Sequence, residues 1–83
     1  MSAEPRKTQH EQLRAVFIEA LDLDENTDVE NLEYRGIEAW DSVGHMALVA
    51  AIEDEFDVQL ETDQVIDMSS FKVALDMLRE LKE

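Results

Sequence analysis

The run SVGHMALVAAIEDEF, from Ser42 to Phe56, has the composition of a helix with two apolar faces. Stepped at roughly 100° per residue, Leu48, Val49, Ile52 and Phe56 fall on one side with His45 among them. Val43, Met46, Ala47 and Ala50 fall on nearly the opposite side. A helix that is apolar all round is normally fully buried. A chain of 83 residues has material for only one small domain and one modest core. A bundle of three or four short helices seldom surrounds one of its members. The first face therefore feeds the core, and the second is expected to remain partly exposed as a surface for a partner.

The rest of the chain supplies the other helices. Thr8 and Glu11 form a T-x-x-E capping box, followed by Leu13, Val16, Phe17, Ala20 and Leu21 at helical spacing. They predict a first helix from about Gln9 to Leu21. A long acidic connection from Asp22 to Asp41 comes next. Val29, Leu32, Tyr34, Ile37 and Trp40 are its expected anchors on the core, and part of it fits a short helical turn. After the Ser42 helix, Phe56, Val58 and Leu60 alternate, but no second alternating run exists to pair with them, so a loop is expected. Thr62 can cap a short helix from Asp63 to Asp67. Ser69 or Ser70 can cap a last helix with the stripe Phe71, Ala74, Leu75, Leu78 and Leu81. Arg79 and Lys82 there suit the C-terminal dipole. With 2 Gly and 1 Pro, the composition also favours helices. The expected fold is all-α: three main helices, one short helix and one long first loop.

Charge narrows the partners. The net charge is −14, from 21 acids against 7 bases. Such a surface repels nucleic acid and anionic membranes and attracts basic protein patches or cations. No cysteine is present, so disulfides, thiolate metal sites and a cysteine nucleophile are excluded. The N-terminus MSAEPRKTQHEQ is polar, with no secretory pattern, and no run is long and apolar enough to span a membrane. A cytoplasmic protein without membrane insertion is the expectation.

Ser42 stands where the central helix begins. With Asp41 as N-cap, it falls on the first turn, where free N–H groups and positive potential would stabilise an attached phosphate. Gly44, two residues on, costs roughly 1 kcal/mol of helix propensity against alanine. Its lack of a side chain is expected to leave bulky groups room beside Ser42. At the other end, Glu53, Asp54 and Glu55 oppose the helix dipole by typically a few tenths of a kcal/mol each. That local cost fits a role in docking a basic partner.

WDSVGHMALVAAIEDEF, from Trp40 to Phe56, resembles the modification motif of the acyl carrier protein family. That motif is D-S-L, then apolar residues at helical spacing, then an acidic run closed by Phe. The layout over about residues 9 to 82 is similar as well. The resemblance implies a four-helix acyl-carrier-like bundle, with a flexible N-terminus over residues 1–8 and a carrier domain over 9–83. It implies that Ser42 carries 4'-phosphopantetheine, taken from coenzyme A by a phosphopantetheinyl transferase, with Asp41 as the neighbouring acid. It implies docking through Val43, Met46, Ala47, Glu53 and Asp54 to acyl-transferring and acyl-modifying enzymes with basic patches. Leu48, Ile52 and Phe56 match core positions. The family carries acyl groups as thioesters in fatty-acid or polyketide-type biosynthesis and has no catalytic machinery, so the chain is expected to be a monomeric carrier and not an enzyme. It departs from the pattern at Val43, where the motif has Leu, at Ala47, often acidic in the family, and at Asp57, where many members have Gly. Peptidyl carrier domains, close relatives, usually have Gly residues where this chain has Trp40 and Asp41.

Two other readings compete. DLDENTDVENLE places Asp22, Asp24, Asn26, Asp28, Glu30 and Glu33 at positions 1, 3, 5, 7, 9 and 12 of an EF-hand-like calcium loop. The sharp turn at position 6 wants Gly, and the β-branched Thr27 stands there. Asp41, Ser42 and His45 include the residue types of a hydrolytic triad, and Ser42 and His45 are neighbours on a helix. No oxyanion hole or further motif accompanies them.

Overall fold

The computed structural model describes residues 8–82 of the chain. Of the expected flexible N-terminus, only Thr8 lies among them. The described residues form four α-helices, α1 (Gln9–Leu21), α2 (Ser42–Phe56), α3 (Thr62–Asp67) and α4 (Phe71–Lys82), with a 3-10 turn at Val29–Asn31. Among the described residues there is no strand, only an isolated antiparallel bridge between Glu33 and Ser70. Phe56 closes α2 and the chain from Asp57 to Leu60 is a loop, as the lack of a pairing partner for the alternation implies.

Each helix begins where local chemistry satisfies its free N–H groups. Thr8 and Glu11 make the reciprocal box that starts α1. Asp41 caps α2 by accepting from the Gly44 amide at 2.8 Å. Ser70, not Ser69, caps α4, its hydroxyl accepting from the Val73 amide at 3.2 Å. The cap of α3 differs from expectation. Thr62 is already helical, and Glu61 is the N-cap. Glu61 donates its amide to the Gln64 side chain at 2.9 Å, a pairing that Thr62 has no equivalent for at its own third position, Val65. Both α1 and α2 end on a left-handed residue, Asp22 and Asp57 with φ of 55° and 56°.

The core lies where α1, α2, α4 and the 3-10 turn meet. Leu13, Val16, Phe17 and Leu21 of α1 are buried against Leu48, Val49, Ile52 and Phe56 of α2. Phe71, Ala74, Leu75 and Leu78 of α4 complete it, with Val29, Trp40 and Met68 from the connections. Phe17 is central, meeting Trp40 and Phe71 edge-on with ring centroids 5.2 and 5.1 Å away. Leu81 is not part of this stripe: it is 39% exposed, one turn beyond the last core residue, Leu78.

The long first connection is anchored along its length. Val29 and Trp40 are buried, and Leu32, Tyr34 and Ile37 pack on the core half-buried. Tyr34 donates its amide to the Ser69 carbonyl at 2.8 Å, and Phe71 donates to Leu32 at 3.1 Å, stitching the loop to the start of α4. Arg14 donates to the carbonyls of Glu25 and Thr27 at 2.8 and 3.2 Å, while Glu30 takes His10 at 2.8 Å and Arg14 at 3.5 Å.

Candidate functional site

Ser42 is the first residue of α2 and is exposed. Its position follows from the chain before it. Arg35 adopts a left-handed φ of 66° and donates its amide to the Trp40 carbonyl at 2.8 Å, closing a tight excursion. Trp40 is fully buried, and the chain returns to the surface at Asp41 and Ser42. An open hollow beside Ser42 is walled by Arg35, Ile37, Trp40 and Asp41. The amides of Ser42 and Val43 head the helix ahead of its hydrogen-bond ladder. An exposed hydroxyl, leading amides and an adjoining open hollow fit a bulky phosphate-linked group on Ser42, with Arg35 the cation in that wall.

Gly44 has a different role from the one its lack of a side chain suggests. A Cβ there would collide with the Ala39 carbonyl oxygen and press on a Leu21 methyl at 3.2 Å. The space belongs to the first connection, which crosses the helix here. Room for a group on Ser42 lies on the solvent side, in the hollow.

The two faces of α2 separate as their periodicity predicts. Leu48, Val49, Ile52 and Phe56 are buried; Val43 and Met46 are 77% and 63% exposed, and Ala47 and Ala50 are also exposed. Ile66 of α3 is a third large apolar side chain in the open, at 72%. Sequence reading missed it, because a six-residue helix is too short to show which of its apolar residues faces inward. The carboxylates at the end of α2 divide. Asp54 and Glu55 are exposed. Glu53 is half-buried and accepts from the Leu60 amide at 2.9 Å, so it holds the loop after the helix.

His45 is a junction. Its Nδ1 accepts from the Trp40 indole N–H at 2.9 Å, and its Nε2 donates to the Val65 carbonyl at 2.8 Å. Both ring nitrogens are used, so Ser42 has no imidazole base in this arrangement. Asp41 is likewise turned to the Gly44 amide. The three residue types of a triad are adjacent without forming one. His45 also lines a cavity of about 260 Å³ with Tyr34, Val65, Ile66, Met68 and Ser69.

The acidic loop does not gather its carboxylates. Asp24 accepts from the Asn26 amide at 2.7 Å, Asp28 from the Asn31 side chain at 2.8 Å, and Glu30 serves His10 and Arg14. Among the described residues no three His, Asp or Glu side chains converge as a metal-holding group. No described helix is long and apolar enough to cross a membrane. No family model matches the chain.

Proposed function

We propose that the chain is an acyl carrier protein, modified on Ser42 with 4'-phosphopantetheine. The observation that carries this reading is an exposed serine on the first turn of α2, with the exposed apolar pair Val43 and Met46 on the same helix. The resemblance of Trp40–Phe56 to the carrier motif supplies the chemistry. In the modification, the Ser42 hydroxyl oxygen bonds to the phosphorus that bears the pantetheine arm of coenzyme A. The phosphoanhydride bond breaks, adenosine 3',5'-bisphosphate leaves, and the hydroxyl proton passes to a base of the transferase. The group supplies a thiol that carries acyl chains as thioesters.

The chain's own residues present and orient. Asp41 caps the helix and fixes the direction in which Ser42 leaves the surface. Val43, Met46 and Ile66 offer apolar contact to a partner enzyme. Asp54 and Glu55 steer basic partners toward it, an effect that acts on encounter rate and orientation more than on final affinity. With His45 and Asp41 engaged internally, Ser42 is presented as a substrate and not as an activated nucleophile. Partners are phosphopantetheinyl transferases and enzymes that load, modify or unload the acyl group, meeting a monomeric carrier in the cytoplasm.

The test is transfer from a fluorescent coenzyme A analogue by a broad-specificity transferase. Wild type should be labelled and Ser42→Ala should not. Equal labelling of both would refute the assignment of Ser42.

A further inference from the structure

His45 holds two parts of the molecule, and each bond dictates the other. The Trp40 indole nitrogen can only donate, and its side chain is fully buried. Left unpaired, that N–H would carry the desolvation cost of a buried donor. Nδ1 of His45 takes it at 2.9 Å, which puts the ring proton on Nε2. Nε2–H then meets a group that can only accept, the Val65 carbonyl at 2.8 Å. A flipped ring or the other tautomer would lose both bonds. The Trp40 and His45 rings lie 18° from parallel with centroids 6.1 Å apart, and Tyr34 packs edge-on to His45 at 5.2 Å.

At the far end of this link is α3, which buries none of its own residues. Its cap, from Glu61 to Gln64, is local. Among the described residues, the His45 bond is the side-chain hydrogen bond that reaches α3 from another helix. At the near end, Trp40 accepts from Arg35 and donates its amide to Ile37 at 3.2 Å, shaping the segment that leads into Asp41 and Ser42. We propose that His45 is a positioning residue that couples α3 to the segment presenting Ser42. While both His45 bonds hold, a loosening of α3 is felt at Trp40 and so at Ser42, and the reverse holds as well; cutting the Val65 bond alone separates the two ends. The functional half of this coupling rests on the carrier reading of Ser42; the mechanical half does not.

A mutant cycle read by amide hydrogen exchange tests the mechanical half. Trp40→Phe deletes the indole donor without touching α3. Freed of its aim, the His45 ring should release Val65, and the Val65 and Met68 amides should exchange roughly 3- to 30-fold faster relative to core amides of α1 and α4. In a His45→Phe background the same change should add nothing in α3. Normalising to α1 and α4 removes any global loss of stability. An unchanged α3, or equal acceleration in both backgrounds, would overturn the coupling. Should Trp40→Phe fail to fold, His45→Asn decides. Its carboxamide oxygen can stand in for Nδ1 while losing Val65. It should loosen α3, leave the indole N–H resonance of the single tryptophan in place, and keep the Ser42 modification rate within about twofold. Disturbance at both ends, or at neither, would overturn the proposal. If no transferase modifies wild type, the carrier reading fails and the exchange cycle still decides the coupling. If wild type is modified and the cycle shows no interaction, the coupling alone fails.

Discussion

The Ala39 carbonyl oxygen occupies the space that a side chain on Gly44 would need. The first connection thus crosses α2 backbone against backbone, directly beside the turn that carries Ser42. Gly44→Ala should gain roughly 1 kcal/mol of helix propensity and lose about 3 kcal/mol, the severe end for overpacking, because the clash is with a backbone carbonyl. Urea unfolding should report a net loss. A more stable variant would mean that the crossing is looser than described.

Asp57 ends α2 in the left-handed region with φ of 56°. The conformation disfavours any residue with a Cβ, and its charge lies at the negative end of the helix dipole. Asp57→Gly should therefore raise stability by about 0.5 to 1 kcal/mol, and Asp57→Val should lower it. Melting temperatures that move in the opposite order would refute the left-handed cap.

Glu53 and Asp54 look interchangeable in the sequence and are not so in the fold. Glu53→Lys removes the acceptor of the Leu60 amide and should cost about 1 to 3 kcal/mol. Asp54→Lys should leave stability within about 0.5 kcal/mol, slow the modification of Ser42, and flatten its salt dependence. Ile52→Ala, a core truncation, is the reference at roughly 2 to 5 kcal/mol. An Asp54→Lys protein modified at the wild-type rate at low salt would remove the acidic docking face.

The helices were legible because their periodicity is a local property. The α1 capping box, the buried face of α2 and the stripe of α4 all repeat within a few residues. So was the split of α2 into a core face and an open one, since one small bundle cannot cover both. What was not legible depended on residues distant in the chain. Gly44 reads as bare surface until Ala39 crosses it. Glu53 reads as one of three equivalent acids until the chain turns back and brings the Leu60 amide to it. His45 reads as a boundary residue because its role needs Trp40 on one side and Val65 on the other. Leu81 fits the α4 stripe by spacing, but the core ends a turn earlier.

Glu30 gives the fold a pH dependence. The hydrogen bond from His10 is the main cause that holds its carboxyl below the usual glutamate value, and the charge of Arg14 helps. A carboxylate lowered in the folded state adds stability above its unfolded value, near 4.3, and loses it as pH falls through the lower folded value. Because the pair is partly exposed, the effect is small. Acid melts of wild type should therefore steepen slightly below about pH 4.5, and Glu30→Gln should remove that component. An identical acid limb in both proteins would show that the pair does not contribute.

Intact-mass spectrometry after coexpression with a broad-specificity phosphopantetheinyl transferase tests the carrier assignment most directly, with peptide mapping to locate the added group. Wild type should gain the mass of one phosphopantetheine unit, mapped to Ser42, and Ser42→Ala should gain none. Ser2, Ser69 and Ser70 are internal controls in the same spectra. Modification that maps to one of them, or no modification of wild type by any transferase tried, would contradict the assignment of this chain as a carrier.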